Sequence, residues 1–154
     1  ELNKISKDYA GESLVVVGVL KGSFLFLADL IRHITIPVEI EFLKASSYGS
    51  STISSGNVKI ELDLNKSIEG KNVLLVEDIV DTGLTIKKIT EMFQTRGPKS
   101  MKLASFLYKK ERVEHEVEID YLAFEIKDHF VIGYGLDLDE RYRELPYVGI
   151  YHED

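Results

Sequence analysis

VLLVEDIVDTGLT, residues 73–85, decides how the rest of the chain is read. Four apolar residues, Val73 to Val76, run straight into the acids Glu77, Asp78 and Asp81. Thr82, Gly83, Leu84 and Thr85 then lead into a helical pattern. This order predicts a buried strand ending in carboxylates, followed by the unpaired N–H groups of a helix start. Acids beside an anion site suit a ligand that carries both hydroxyls and a phosphate.

Outward from that stretch the chain alternates strand and helix. SLVVVGVL (13–20) is a β-branched run of the kind found in a central parallel strand covered on both faces. A Lys21-Gly22-Ser23 turn follows it, with Ser23 as the predicted N-cap of FLFLADLIRHI (24–34), apolar almost all round. Ahead of it, Leu2, Ile5 and Tyr9 have helical spacing that stops at Gly11. Residues 38–43 form a second strand, and VKIEL (58–62) a strand returning from a polar excursion, residues 45–57, that is expected to be a mobile loop or the tip of a β-ribbon. After the acidic turn, Ile86, Ile89 and Phe93 share one helix face, and Gly97-Pro98 is a stop signal. Apolar runs at 101–107, 121–126 and 130–134 complete the strand count. The expected fold is α/β, a single domain over 1–154 with a mainly parallel central sheet flanked by helices and ligands at the carboxyl ends of the strands.

Composition narrows the function. A net charge of −7 disfavours a general nucleic-acid or anionic-membrane surface, since phosphates are repelled overall. With no cysteine, thiolate chemistry and disulfides are excluded. Neither a signal peptide nor a run of about 18 apolar residues is present, so a cytoplasmic protein is the default expectation. GxxxxGK[ST] is absent, so a triphosphate loop is not indicated. Adjacent Glu77 and Asp78 can accept from a vicinal diol or draw on a divalent metal, and Asp81 is placed to act as a general base. Taken singly, Asp81 also suits an N-cap, Lys109-Lys110 a solvated pair, Phe130 a core side chain and Arg143 a surface ion-pair partner. Their joint occurrence after strands is what favours a site.

VLLVEDIVDTGLT resembles the signature of the type I phosphoribosyltransferases, which bind 5-phosphoribosyl-1-pyrophosphate. VGVLKGS, SSYG, the lysine after ASFLY and DHFVIGYGLDLDERYREL occur in the order found in that family's purine branch, the hypoxanthine-guanine phosphoribosyltransferases. The likeness runs from Asp8 to about Ile150. It implies the type I fold with a small hood and a flexible lid, and transfer of the phosphoribosyl group to a 6-oxopurine in purine salvage, with Mg²⁺ as cofactor. A non-catalytic phosphoribosyl pyrophosphate sensor of the same fold is the alternative.

Carried onto this sequence, the resemblance implies that Glu77 and Asp78 hold the ribose hydroxyls. Asp81, Thr82, Gly83, Leu84 and Thr85 would cradle the 5′-phosphate, with Asp81 also taking the proton of the purine's imidazole nitrogen. Lys21 and Gly22, in a loop where the family has a non-proline cis peptide, and Arg143 would bind pyrophosphate. Lys109 would donate to the 6-oxo group, Phe130 would stack on the ring and the Val131 backbone would read its other edge. Asp137, with Glu77 and Asp78, would hold the metal, and Ser47 and Tyr48 would open the lid. Leu84 departs from relatives that carry a polar or basic residue there. The family also has more helix ahead of Asp8, so a further N-terminal piece is expected, and its habit of association implies a homodimer or homotetramer. Preference among hypoxanthine, guanine and xanthine rests on contacts the sequence does not specify.

Overall fold

The order of the strands explains where a ligand can sit. In the computed structural model, which describes residues 2–47 and 58–153, six strands form one sheet: β1 (Leu14–Leu20), β2 (Val38–Ser47), β3 (Val58–Leu62), β4 (Asn72–Val80), β5 (Ser100–Tyr108) and β6 (Tyr121–Glu125). Their spatial order is β3-β2-β1-β4-β5-β6. All neighbours are parallel except β2 and β3, which are antiparallel with a register shift between Lys44 and Ala45. The chain therefore moves outward from β1 in one direction and restarts at β4 in the other. A crevice opens at the carboxyl ends of β1 and β4, where open α/β sheets take their ligands.

Strand periodicity builds two cores. Val15, Val17, Val19, Val73 and Leu75 point to one face and pack with Ile86, Ile89 and Phe93 of α3 (Leu84–Gln94). Leu14, Val16, Leu74 and Val76 point to the other, against Ile5 and Tyr9 around α1 (Ile5–Asp8) and against Phe26, Leu27 and Leu30 of α2 (Phe24–Ile31). The β-branched runs are continuous because both faces of β1 and β4 are covered.

Several elements differ from the sequence expectation. Strand β4 continues past Glu77 to Val80, because Ile79 and Val80 pair with Leu107 and Tyr108 of β5. Ser23 stands at the N-cap of α2, but its buried hydroxyl donates to the Val19 carbonyl at 2.6 Å and caps no helix N–H. Helix α2 buries one face only, leaving Phe24 exposed. Of residues 130–134, only β7 (Val131–Ile132) is strand, and it leaves the main sheet to pair with β8 (Gly149–Ile150). Of the loop expected over 45–57, Ala45 to Ser47 belong to β2, and Tyr48 with residues 49–57 lies outside the described residues.

Candidate active site

Lys21 and Gly22 follow β1, Glu77 and Asp78 lie within the carboxyl-terminal part of β4 with Asp81 just past it, and Lys109 follows β5; the two central strands bring the first two groups together. Two residues beyond the paired Gly18 and Val76, β1 reaches Leu20 and β4 reaches Asp78. The Leu20–Lys21 peptide is cis, as the resemblance implies for this loop. Gly22 lies directly against Asp78: a Cβ added at Gly22 would fall 1.8 Å from Asp78 Oδ2. The tail closes onto the same loop, since a Cβ on Gly135 would lie 2.2 Å from the Gly22 carbonyl oxygen.

Glu77 is 8% exposed, and its carboxyl accepts from the Asp78 N–H at 3.0 Å. Burial raises its pKa well above the ordinary carboxylate value, and the neighbouring Asp78 charge adds to the rise. Two adjacent carboxyls of this kind, with no ion pair to a cation among the described residues, have the donor chemistry of a divalent-metal site completed by substrate oxygens. Among the described residues no cluster of three or more His, Asp or Glu side chains could hold a metal unaided.

Beyond Asp81 the chain turns through Thr82 into α3. Gly83 occupies the N-cap position with φ +88, and a Cβ there would meet the His115 carbonyl oxygen at 2.2 Å, so glycine is required. The first N–H of the helix, that of Leu84, donates to the Thr82 hydroxyl at 3.4 Å and not to Asp81, so Asp81 is not the cap. The opening N–H groups of α3 thus face a cavity of about 210 Å³ lined by Glu77, Asp78, Asp81, Thr82, Gly83 and Thr85, with Leu20 of β1. A cavity of about 470 Å³ lies at the opposite sheet edge, but its charges pair among themselves, Lys99 with Glu12 at 2.5 Å and Lys71 with Glu39 at 3.6 Å.

Lys109 is no solvated lysine. It is 7% exposed at the end of β5, its N–H bonded to the Val80 carbonyl at 2.9 Å. Its Nζ stands 3.9 Å from Asp81 and 3.7 Å from Asp128. Phe130 is 51% exposed, not core, and meets Tyr151 edge to face at 6.2 Å. Its carbonyl accepts from Tyr151, while Val131 enters β7.

The cations expected to take pyrophosphate meet at one acid. Lys21 Nζ and Arg143 Nη2 each lie 3.2 Å from Glu140, and Arg143 also reaches Asp137 at 3.5 Å. Arg143 Nη1 donates to the Gly135 carbonyl at 2.7 Å, whereas its buried Nε has no hydrogen-bond partner among the described residues. The Glu140 N–H donates to Asp137 Oδ2 at 2.9 Å. The hydrogen bond from Arg143, then that from Lys21, holds the Glu140 carboxyl below its ordinary pKa. Glu140, Arg112 and Asp128 were not singled out from sequence. Arg112 stands three residues after Lys109, while Asp128 and Glu140 lie in the DHFVIGYGLDLDERYREL block.

Comparison with known proteins shows the family. Residues 2–140 match the model of the phosphoribosyl transferase domain, and the chain belongs to the phosphoribosyltransferase family. Within that family it resembles the hypoxanthine-guanine enzymes. The hypoxanthine-guanine phosphoribosyltransferase of Dictyostelium discoideum is 50% identical over 98% of this chain and 86% of its own. That of Bacillus subtilis is 46% identical over 96% and 82%. The crystal structure of a hypoxanthine phosphoribosyltransferase from Staphylococcus aureus superposes with a TM-score of 0.94 at 46% identity, covering 97% of this chain and 81% of that one. The fold is therefore the type I phosphoribosyltransferase fold, as expected.

Proposed function

We propose that this protein transfers the 5-phosphoribosyl group from phosphoribosyl pyrophosphate to hypoxanthine or guanine, releasing IMP or GMP and pyrophosphate. The observation that carries the reading is the convergence of the Gly22 loop, the Glu77-Asp78 pair, the α3 N-terminus and the Asp81–Lys109 pair at the ends of three adjacent strands. The relatives' names support the same chemistry.

In this reading Glu77 and Asp78 accept the two ribose hydroxyls, while Thr82, Gly83, Leu84 and Thr85 bind the 5′-phosphate at the helix N-terminus with Asp81 alongside. Lys109 donates to the 6-oxo group, Phe130 stacks on the purine, and the Val131 backbone meets the ring edge. As the base nitrogen bonds to the anomeric carbon, Asp81 takes the proton from the imidazole ring and pyrophosphate leaves. Lys21, Gly22 and Arg143 receive that anion. Asp137, Glu77 and Asp78 would hold magnesium, which would supply positive charge to offset that of the pyrophosphate. Ser47 and Tyr48 open the lid that keeps water from the reacting sugar.

Two further features complete the proposal. No helix among the described residues is long and apolar enough to cross a membrane, in keeping with a cytoplasmic enzyme. Exposed Ile40, Phe42 and Phe124 favour assembly as a homodimer or homotetramer. Incubation with phosphoribosyl pyrophosphate, Mg²⁺ and each of hypoxanthine, guanine and xanthine tests the reading. Nucleotide from one or more bases is expected. Tight phosphoribosyl pyrophosphate binding with no product from any base would instead establish a sensor.

A further inference from the structure

Arg112 and Asp128 complete a closed ring of alternating charge around Asp81 and Lys109. Arg112 Nε meets Asp81 Oδ1 at 2.5 Å, and Arg112 Nη1 lies 3.4 Å from Asp128 Oδ2. Lys109 Nζ faces the other oxygen of each acid, 3.9 Å from Asp81 Oδ2 and 3.7 Å from Asp128 Oδ1. We propose that Arg112 is a positioning residue for proton transfer to Asp81, with Asp128 as the acid that keeps Arg112 in place when Asp81 is discharged. The proposal rests on Asp81 being the proton acceptor.

The distances divide the Asp81 carboxylate into two unequal oxygens. Oδ1 is held by a short charge-assisted hydrogen bond, which fixes the rotation of the carboxylate. Oδ2 faces Lys109 from beyond hydrogen-bond range, so it is the oxygen left to take a proton from a bound base. Arg112 is itself tied down: its N–H donates to the Lys109 carbonyl at 3.0 Å, and the Lys109 N–H donates to the Val80 carbonyl at 2.9 Å. The acid thus follows the end of β4, and the guanidinium closes the short 3-10 turn, Lys110–Arg112, just past β5. A planar guanidinium can address two carboxylates at once, through Nε and Nη1, where an ammonium offers a single centre.

The second acid accounts for the charge after transfer. The ring begins with two cations and two anions. As the base nitrogen forms its bond to the anomeric carbon, the electron pair of the breaking C–O bond leaves with pyrophosphate, and the N–H proton passes to Asp81 Oδ2. Asp81 becomes neutral, and Lys109 turns to the purine oxygen. Asp128 is then the anion still facing Arg112, so the guanidinium keeps a charged partner and its position through the step.

A double-mutant cycle tests this. In wild-type background, Arg112→Gln is expected to lower kcat about tenfold and leave KM for phosphoribosyl pyrophosphate within about twofold, the pattern of an interaction acting in the chemical step. In an Asp81→Asn background the same change should cost less than about twofold, because its target is already gone. Equal losses in both backgrounds, or an unchanged kcat in the wild-type background, would overturn the role of Arg112 while leaving that of Asp81 standing. Wild-type turnover in Asp81→Asn itself would overturn the proton role of Asp81 and this proposal with it. Arg112 is half exposed on a turn, so both variants should fold, which circular dichroism checks.

Discussion

Gly22 and Asp78, at the ends of two neighbouring parallel strands, approach until no side chain fits between them; a Cβ at Gly22 would stand 1.8 Å from Asp78 Oδ2 and 2.8 Å from its Cγ. Gly22→Ala therefore forces the Asp78 carboxylate to rotate out of place. Because Asp78 lies at the rim of the crevice, the fold should survive. KM for phosphoribosyl pyrophosphate should rise about tenfold, with a thermal midpoint close to wild type. An unaltered KM would show that Asp78 does not hold the sugar.

Asp81→Asn removes the acceptor for the purine's proton while keeping shape and most hydrogen bonding. Turnover should fall about 10²- to 10³-fold, within the usual range for losing a general base. Affinity for phosphoribosyl pyrophosphate, measured by calorimetry, should change far less. Losses of equal size in both would remove Asp81 from the chemical step.

Glu77 costs the apo fold stability at neutral pH. Its folded-state pKa lies above its unfolded-state value, for reasons of burial first and the Asp78 charge second. The buried group is favourable while protonated, and stability declines as pH rises from the unfolded pKa through the folded one. Glu77→Gln should thus match wild type near pH 4 and exceed it at pH 7 when no divalent cation is added. A gain of about 1 kcal/mol would raise the thermal midpoint by about 2–4 °C. A stability difference that does not vary with pH would contradict this.

Half-exposed Phe130 can be shortened without opening a core. Phe130→Ala should raise KM for the purine by about tenfold, the lower part of the range for base–aromatic stacking. Its denaturation midpoint should stay within a few degrees of wild type. If the purine KM is unchanged, the ring stacks on something else.

Glu140 bridges Lys21 and Arg143, each at 3.2 Å, and so competes with any anion for the same two cations. Glu140→Gln should tighten product inhibition by pyrophosphate several-fold. Weaker inhibition would mean that Glu140 organises the anion site instead of competing with it.

The central strands and the helix behind the acidic turn were legible in sequence because their signals are local. Continuous β-branched runs mark β1 and β4, and Ile86, Ile89 and Phe93 mark the buried face of α3. The roles of neighbours were not legible. Residues 130–134 have the composition of a strand, but which sheet they join depends on β8, and only two of them pair. Ser23 has the chemistry of a cap, yet its hydroxyl turns back to donate to the Val19 carbonyl and accepts from no helix N–H.

By itself the sequence determined the α/β alternation, the acids after a buried strand, the glycine that opens α3 and the resemblance to a phosphoribosyltransferase, all written in contiguous residues. Only the tertiary structure decided which charges answer one another. Arg112 lies 31 residues from Asp81, and Glu140 lies 119 from Lys21. Charges act through space, so their partners are chosen by strand order and by the return of the tail to the carboxyl edge of the sheet.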